Sequence, residues 1–215
     1  MKKIFREIFL RKYLKKFNNS EEYWNKRYYW GGNSGPGSYN EEAKIKANFI
    51  NKLIIQKNIK NIIDIGCGDG NNTKLFKNIN YIGFDVSPYI INQNRKLFKT
   101  DSRKKFFVLD DSFQKKIEEL KSKIDTSETI TLSLDVIFHL IEESIFLNHI
   151  NNLNLISTGH LAIISSNCNE EYNPDIPHVK HRNFINFLDQ KKWLLTEKTS
   201  LKMRDFREIY YFSHI

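Results

Sequence analysis

Cysteine is nearly absent, with two in 215 residues. Cys67 and Cys168 stand far apart in different motifs, which excludes a disulfide framework and a zinc-ribbon spacing. A reducing, cytoplasmic location is the expectation. No apolar run is long enough to span a bilayer. The opening MKKIFREIFLRKYLKKF begins charged but has no uninterrupted apolar stretch and no small-residue cleavage site, so a signal peptide is not expected. Acidic residues are scarce there: residues 1–17 hold seven Lys or Arg and one Glu. The whole chain carries a net charge of +9, so most of the excess sits in this arm. Such an arm could touch an anionic membrane surface weakly, or a nucleic acid. Ile4, Ile8, Arg11 and Lys15 fall on one side of a helical wheel, however, which mixes the apolar and basic faces. A solvated or packed extension is the expectation. Repeats and low-complexity tracts are also missing.

What remains suits one ordinary domain. The apolar fraction is 40% and the charged fraction 27%, values of a soluble globular chain with a sizeable core. From residue 41 the pattern alternates. EEAKIKANFINKLIIQKN predicts a helix, with Ile45, Phe49 and Leu53 repeating along one face. NIIDIG, YIGFDV, KKFFVLD, ETITLSLDV and HLAIISSN predict buried strands. Helical segments follow the second, third and fourth of these, the first of them with Ser87 at its cap and Pro88 next. HVKHRNFINFLDQ predicts a further helix, and KWLLTEKTS with FREIYYFSHI predicts two strands joined without one. The expected fold is α/β: a Rossmann-like, seven-stranded, mostly parallel sheet with a C-terminal antiparallel hairpin and helices on both faces.

Ligands of such sheets bind beyond the carboxyl ends of the strands. The loop after the first strand, in IIDIGCGDGNN, alternates glycine with other residues at positions 66, 68 and 70. Gly66 and Gly68 allow close backbone approach. Asp64 can accept a hydrogen bond from an ammonium group or from the loop. The second strand ends in Asp85, at the spacing of an acid that grips ribose hydroxyls. The third ends in Asp110-Asp111-Ser112, placed to meet a purine. A dinucleotide site wants G-x-G-x-x-G, but Asn71 stands at its third glycine position. The D-x-G-x-G-x-G form suits S-adenosylmethionine better.

DIGCGDG and YIGFDVS resemble motifs I and II of class I S-adenosylmethionine-dependent methyltransferases, and SLDVIFHLIEES resembles their fourth-strand segment. The likeness covers about residues 41–165. It implies S-adenosylmethionine as cofactor, with Asp64, Gly66, Cys67 and Gly68 at the methionine part. Asp85 and Val86 would sit at the ribose, and Asp110, Asp111 and Ser112 at the adenine. Asp135 would lie under the sulfonium and His139 point toward the acceptor. Residues 41–215 would then be the methyltransferase domain, and residues 1–40 a basic arm and glycine-rich lid. YWNKRYYWGGNSGPGSYNEEAKIKANFI and HVKHRNF narrow the resemblance to small bacterial methyltransferases of capsule or lipopolysaccharide biosynthesis.

For the chemistry, His139 and His178 are the candidate bases, since imidazole can take a proton near neutral pH. His178, His181 and Arg182 would form an anion clamp on an expected helix face. The expected acceptor is therefore a small anionic molecule, a nucleotide sugar or phosphorylated glycan precursor, O-methylated on a sugar or phosphoryl-type group. No metal is expected, because no acid or cysteine completes the histidine pair. No nucleic-acid partner is expected either: no Asn-Pro-Pro-Tyr-like motif follows the fourth strand. A small-molecule N-methyltransferase, a nucleic-acid methyltransferase and a non-catalytic cofactor-binding scaffold are the alternatives.

Overall fold

The structure, a computed structural model, describes residues 17–156, 158–201 and 206–215. The basic arm, apart from Phe17, lies outside the described residues. Seven strands form one sheet: β1 (Asn61–Ile65), β2 (Asn80–Asp85), β3 (Lys104–Val108), β4 (Thr129–Leu134), β5 (His160–Ser166), β6 (Trp193–Ser200) and β7 (Arg207–His214). Their order is β3-β2-β1-β4-β5-β7-β6. The pairs among β1 to β5 are parallel, and β7 runs antiparallel between β5 and β6. The expected fold class and terminal hairpin are observed.

Among the described residues, five α-helices accompany the sheet: α1 (Ser20–Tyr29), α2 (Asn40–Gln56), α3 (Pro88–Leu97), α4 (Phe113–Lys121) and α5 (Glu143–Ile156). Strand side chains alternate between two cores. Ile62, Tyr81, Ile130 and Leu132 pack with Ile50 and Leu53 of α2 and Ile91 of α3. Ile63, Ile65 and Phe84 pack on the other face with Ile117 of α4 and Phe146 and Ile150 of α5. Both faces of the central strands are covered, which explains their near-continuous apolar runs.

Two expectations about helices need correction. The core face of α2 is Ala43, Lys46, Ala47, Ile50 and Leu53, while Ile45 is exposed. An alanine-rich stripe allows close packing on the sheet, and it admits one buried lysine. The segment 178–190 is not a helix: its only helical turn is the 3-10 turn Phe184–Phe187. It runs as an irregular connection over the end of β4, with Lys180 N donating to Phe138 O at 2.8 Å. Among the described residues, no helix is long and apolar enough to cross a membrane.

The two cores set a stability contrast. Phe146 is fully buried and Ile55 is 80% exposed. Phe146→Ala should lower unfolding stability by about 3–5 kcal/mol, against less than about 0.5 kcal/mol for Ile55→Ala. Urea unfolding of the two variants checks this.

Candidate active site

The chain turns back between β1 and β4, and the loops beyond these strands open a crevice. β1 ends at Ile65 and Gly66 follows with φ 89°, then Gly68 with φ 56°. A Cβ on Gly66 would run into Val136, and one on Gly68 into Ser34 Oγ. Glycine at both positions thus reflects close approach as well as left-handed backbone. Gly66 N and Cys67 N both donate to Phe84 O, at 2.8 and 2.9 Å. Asp85 Oδ2 accepts from Gly68 N at 2.9 Å and its Oδ1 from Ser87 N at 3.0 Å. Burial pushes the Asp85 carboxyl up to about 6, and those two amides oppose the shift.

Asp64 is buried on β1. Its Oδ2 accepts from Tyr81 Oη at 2.6 Å, and its Oδ1 has no hydrogen-bond partner among the described residues. Burial pushes this carboxyl up to about 7, with Tyr81 and Lys46 working against it. An unpartnered, buried acceptor is unfavourable unless a donor arrives.

A cavity of about 690 Å³ follows the strand ends. Asp64, Gly66, Cys67, Gly68, Asp85, Val86, Asp110, Asp111, Asp135 and His139 all stand in its wall. Ser112 does not: its hydroxyl and its backbone N both donate to Asp110 Oδ1, so it serves the start of α4. Hydrogen bonds from Ser112 and Lys116 hold the Asp110 carboxyl below the usual range. Asp111 has no such partner among the described residues.

Asp135 adopts φ 60°, in the left-handed region. Its carboxylate meets Lys46, which is 1% exposed, and lies 3.2 Å from Arg207 Nη1. Arg207 also holds Glu42 at 2.9 Å. Asp135 therefore turns to α2 and β7, and the cation pair takes much of its charge.

His139 ends the 3-10 turn Ile137–His139. Its Nδ1 is 2.7 Å from His178 O. A carbonyl only accepts, so Nδ1 carries the proton and Nε2 keeps its lone pair. Burial lowers the His139 pKa to about 4, although the His178 carbonyl opposes this. The ring is neutral at neutral pH. The His178 ring stacks on Tyr23 (4.7 Å, 11°) and on His139 (5.6 Å, 13°). It backs His139 and does not line the cavity, so it is not placed as a second base.

The expected anion clamp is not assembled. Arg182 is buried and donates from Nη1 to Leu140 O (2.6 Å) and from Nη2 to Ile141 O (2.7 Å). Its guanidinium also lies over Phe146. His181 Nδ1 sits 2.6 Å from Ser166 Oγ, and neither His181 nor Arg182 reaches the cavity wall. Without a helix over 178–182, the three side chains do not share a face. Among the described residues no group of three or more His, Cys, Asp and Glu side chains is arranged to hold a metal ion.

Sequence reasoning missed α1. Asn19 Oδ1 accepts from Glu22 N at 2.8 Å and caps it. The first turn is pinned by Glu142, whose carboxylate accepts from Ser20 N (2.8 Å) and Ser20 Oγ (2.6 Å). Trp24 then meets His139 edge-on at 4.9 Å. The signal was present as an Asn-Ser-Glu-Glu start before an aromatic stripe. The segment 31–39 docks on the glycine loop: Ser34 N donates to Asp69 Oδ2 and Asp69 N to Ser34 Oγ, each at 2.9 Å. Tyr39 Oη donates to the same Asp69 oxygen at 2.7 Å.

The orphan Asp64 oxygen, the glycine cradle and the Asp85 carboxylate fit an ammonium group and a ribose. Asp64 and Asp85 titrate above the ordinary carboxyl value of 3.8, at about 7 and 6. Each thus favours the fold while protonated, and that contribution is lost as pH rises from about 4 through 6 to 7. Asp64→Asn should raise stability at pH 8 by on the order of 2 kcal/mol, with no gain at pH 4, and weaken cofactor binding at least about tenfold. Unfolding at the two pH values and calorimetric titration with S-adenosylhomocysteine check both halves.

Comparison with known proteins agrees with this geometry. Residues 63–163 match a family described as a methyltransferase domain. No curated protein matches the chain. Among solved structures it is similar to the N-methyltransferase NodS of Bradyrhizobium japonicum WM9 in complex with S-adenosylhomocysteine. That match has 17% identity and a TM-score of 0.66, covering 92% of this chain and 99% of NodS. Magnesium protoporphyrin IX methyltransferase from Synechocystis PCC 6803, with bound S-adenosylmethionine, matches at 12% identity and TM-score 0.61, covering 93% and 99%. The bifunctional kinase-methyltransferase WbdD matches at 18% identity and TM-score 0.53, covering 81% of this chain and 39% of its own. Residues 63–163 thus match a methyltransferase domain, and the chain around them shares its fold with methyltransferases solved with S-adenosylhomocysteine or S-adenosylmethionine bound.

Proposed function

We propose that the enzyme methylates a hydroxyl of a small, sugar-type acceptor in bacterial surface-polysaccharide biosynthesis, and that it works in the cytoplasm. The observation that carries the chemistry is His139, which stands in the cavity wall with Nδ1 against the His178 carbonyl and Nε2 unprotonated. The surface-polysaccharide setting is supported by the resemblance of residues 23–50 and 178–184 to such enzymes. The bound cofactor supplies a methyl group on a sulfonium. Asp64 Oδ1 accepts from its ammonium, Asp85 from the ribose hydroxyls, and Asp111 from the exocyclic amine. His139 Nε2 accepts the proton of the acceptor hydroxyl. Its low pKa makes it a weak base that is already free near neutral pH, so it assists alignment with proton removal.

The segment 31–39 and α1 act as the lid. Ser34 and Asp69 join the lid to the glycine loop, and Glu142 joins α1 to the loop after β4. Together they keep water from the reacting atoms.

His139→Ala should lower kcat by about 100-fold while leaving the affinity for S-adenosylhomocysteine unchanged. Since the His139 pKa lies near 4, kcat at saturating cofactor should stay flat from pH 8 down to about 5 and fall only below that. Steady-state rates of both proteins across pH test this, and a loss centred near pH 6.5 or an active His139→Ala would refute it.

A further inference from the structure

The cavity extends past the strand ends into the space between α4 and α5. Phe113 and Gln114 of α4 and Ile145, Asn148, His149 and Asn152 of α5 line this groove. Methyl transfer at His139 gives none of the four polar ones a task. Positions 145, 148, 149 and 152 recur at helical spacing and share one face of α5. At 1.5 Å per residue, that face covers about 10 Å of the helix. Two of its polar side chains are deeply buried and incompletely partnered. Asn152 is 6% exposed, and its amide makes no hydrogen bond among the described residues. His149 is 4% exposed. Its Nε2 lies 2.8 Å from Ser133 Oγ, and its Nδ1 has no partner among the described residues. Polar atoms held this way are unfavourable until a ligand group or water completes them.

The groove is also uncharged. No charged side chain of α4 or α5 lines the cavity, and among the described residues no lysine or arginine does. Burial lowers the His149 pKa to about 4, with no charged neighbour contributing, so the ring is neutral near neutral pH. A carboxamide offers a donor and an acceptor together. The imidazole offers one or the other, because its tautomer can follow the hydroxyl of Ser133. Hydroxyl groups, which donate and accept at once, match such a wall. A phosphate or carboxylate offers acceptors alone, and an ammonium donors alone. Phe113 and Ile145 add apolar surface that suits the C–H faces of a sugar ring.

We infer that the groove between α4 and α5 holds an uncharged, hydroxyl-rich saccharide unit of the acceptor through Asn148, His149 and Asn152. This rests on the sugar-type acceptor proposed at His139, which lines the same cavity, and sets an uncharged acceptor in place of the anionic one expected from the sequence. Glucose, galactose, mannose, N-acetylglucosamine and their 1-phosphates probe it. Each is titrated near neutral pH into protein saturated with S-adenosylhomocysteine and followed by saturation-transfer NMR. The native chain is compared with Asn152→Leu, and Asn152→Ala repeats the test in case leucine disturbs the packing. At least one neutral sugar should bind, and its 1-phosphate should bind no more tightly. Both variants should weaken the sugar at least about fivefold and leave the affinity for S-adenosylhomocysteine within about twofold. Binding of no sugar, sugar binding that survives both substitutions, or tighter binding of the phosphate overturns the inference. A tenfold loss of S-adenosylhomocysteine affinity in both variants overturns it too, by giving the groove to the cofactor. Those results leave the base assignment standing, because that assignment falls only on the rate of His139→Ala with whichever acceptor is turned over.

Discussion

One buried carboxylate holds the site together. Asp85 ends β2, and its two oxygens accept from Gly68 N in the glycine loop and from Ser87 N at the start of α3. The loop after β1 is thereby tied to the neighbouring strand. Gly66 and Cys67 add two more bonds to the same strand through Phe84 O. The loop can then run flat across the crevice, with Val136 of the β4 loop close on its other side. Burying an acid there is unfavourable, which its raised pKa records. The same holds for Asp64, whose second oxygen lacks a partner among the described residues. The site is a place where local stability is given up.

A second layer closes over this frame. Glu142 grips the first turn of α1, and α1 brings Trp24 against His139. His178 supports His139 in two ways, through its carbonyl at Nδ1 and through its ring on the far face. Both imidazoles lie in apolar or aromatic company, so both stay neutral. Lys46 and Arg207 fix the Asp135 corner from beneath, and a side chain on Gly37 would strike Asp135 and Arg207. The segment 31–39, the Asp135 corner and His139 thus share one packed unit.

Much of this was legible in the sequence. Alternating strand and helix patterns carried the sheet, and the absence of a helix between the last two strands carried the hairpin. The acids at strand ends carried the cavity, since a parallel sheet places all such ends on one rim. What failed has physical reasons. On α2, Leu53 and, at its edge, Phe49 meet the core as expected, but Ile45 does not: the sheet demanded small residues there and accepted Ala43, Ala47 and the paired Lys46. Residues 178–182 suggested a helix by their charge and spacing, yet Pro177 precedes them and Arg182 bonds carbonyls 41 and 42 residues earlier. Such long-range partners leave no local periodicity to read. The same is true of Ser34 and Asp69, 35 residues apart.

The central claim is that the glycine loop, Asp64 and Asp85 form a site for S-adenosylmethionine. Calorimetric titration of the native protein with S-adenosylhomocysteine, with NAD as control, tests it most directly. The account predicts one site per chain, micromolar affinity for S-adenosylhomocysteine, and no heat from NAD. Binding of NAD with no response to S-adenosylhomocysteine would contradict it.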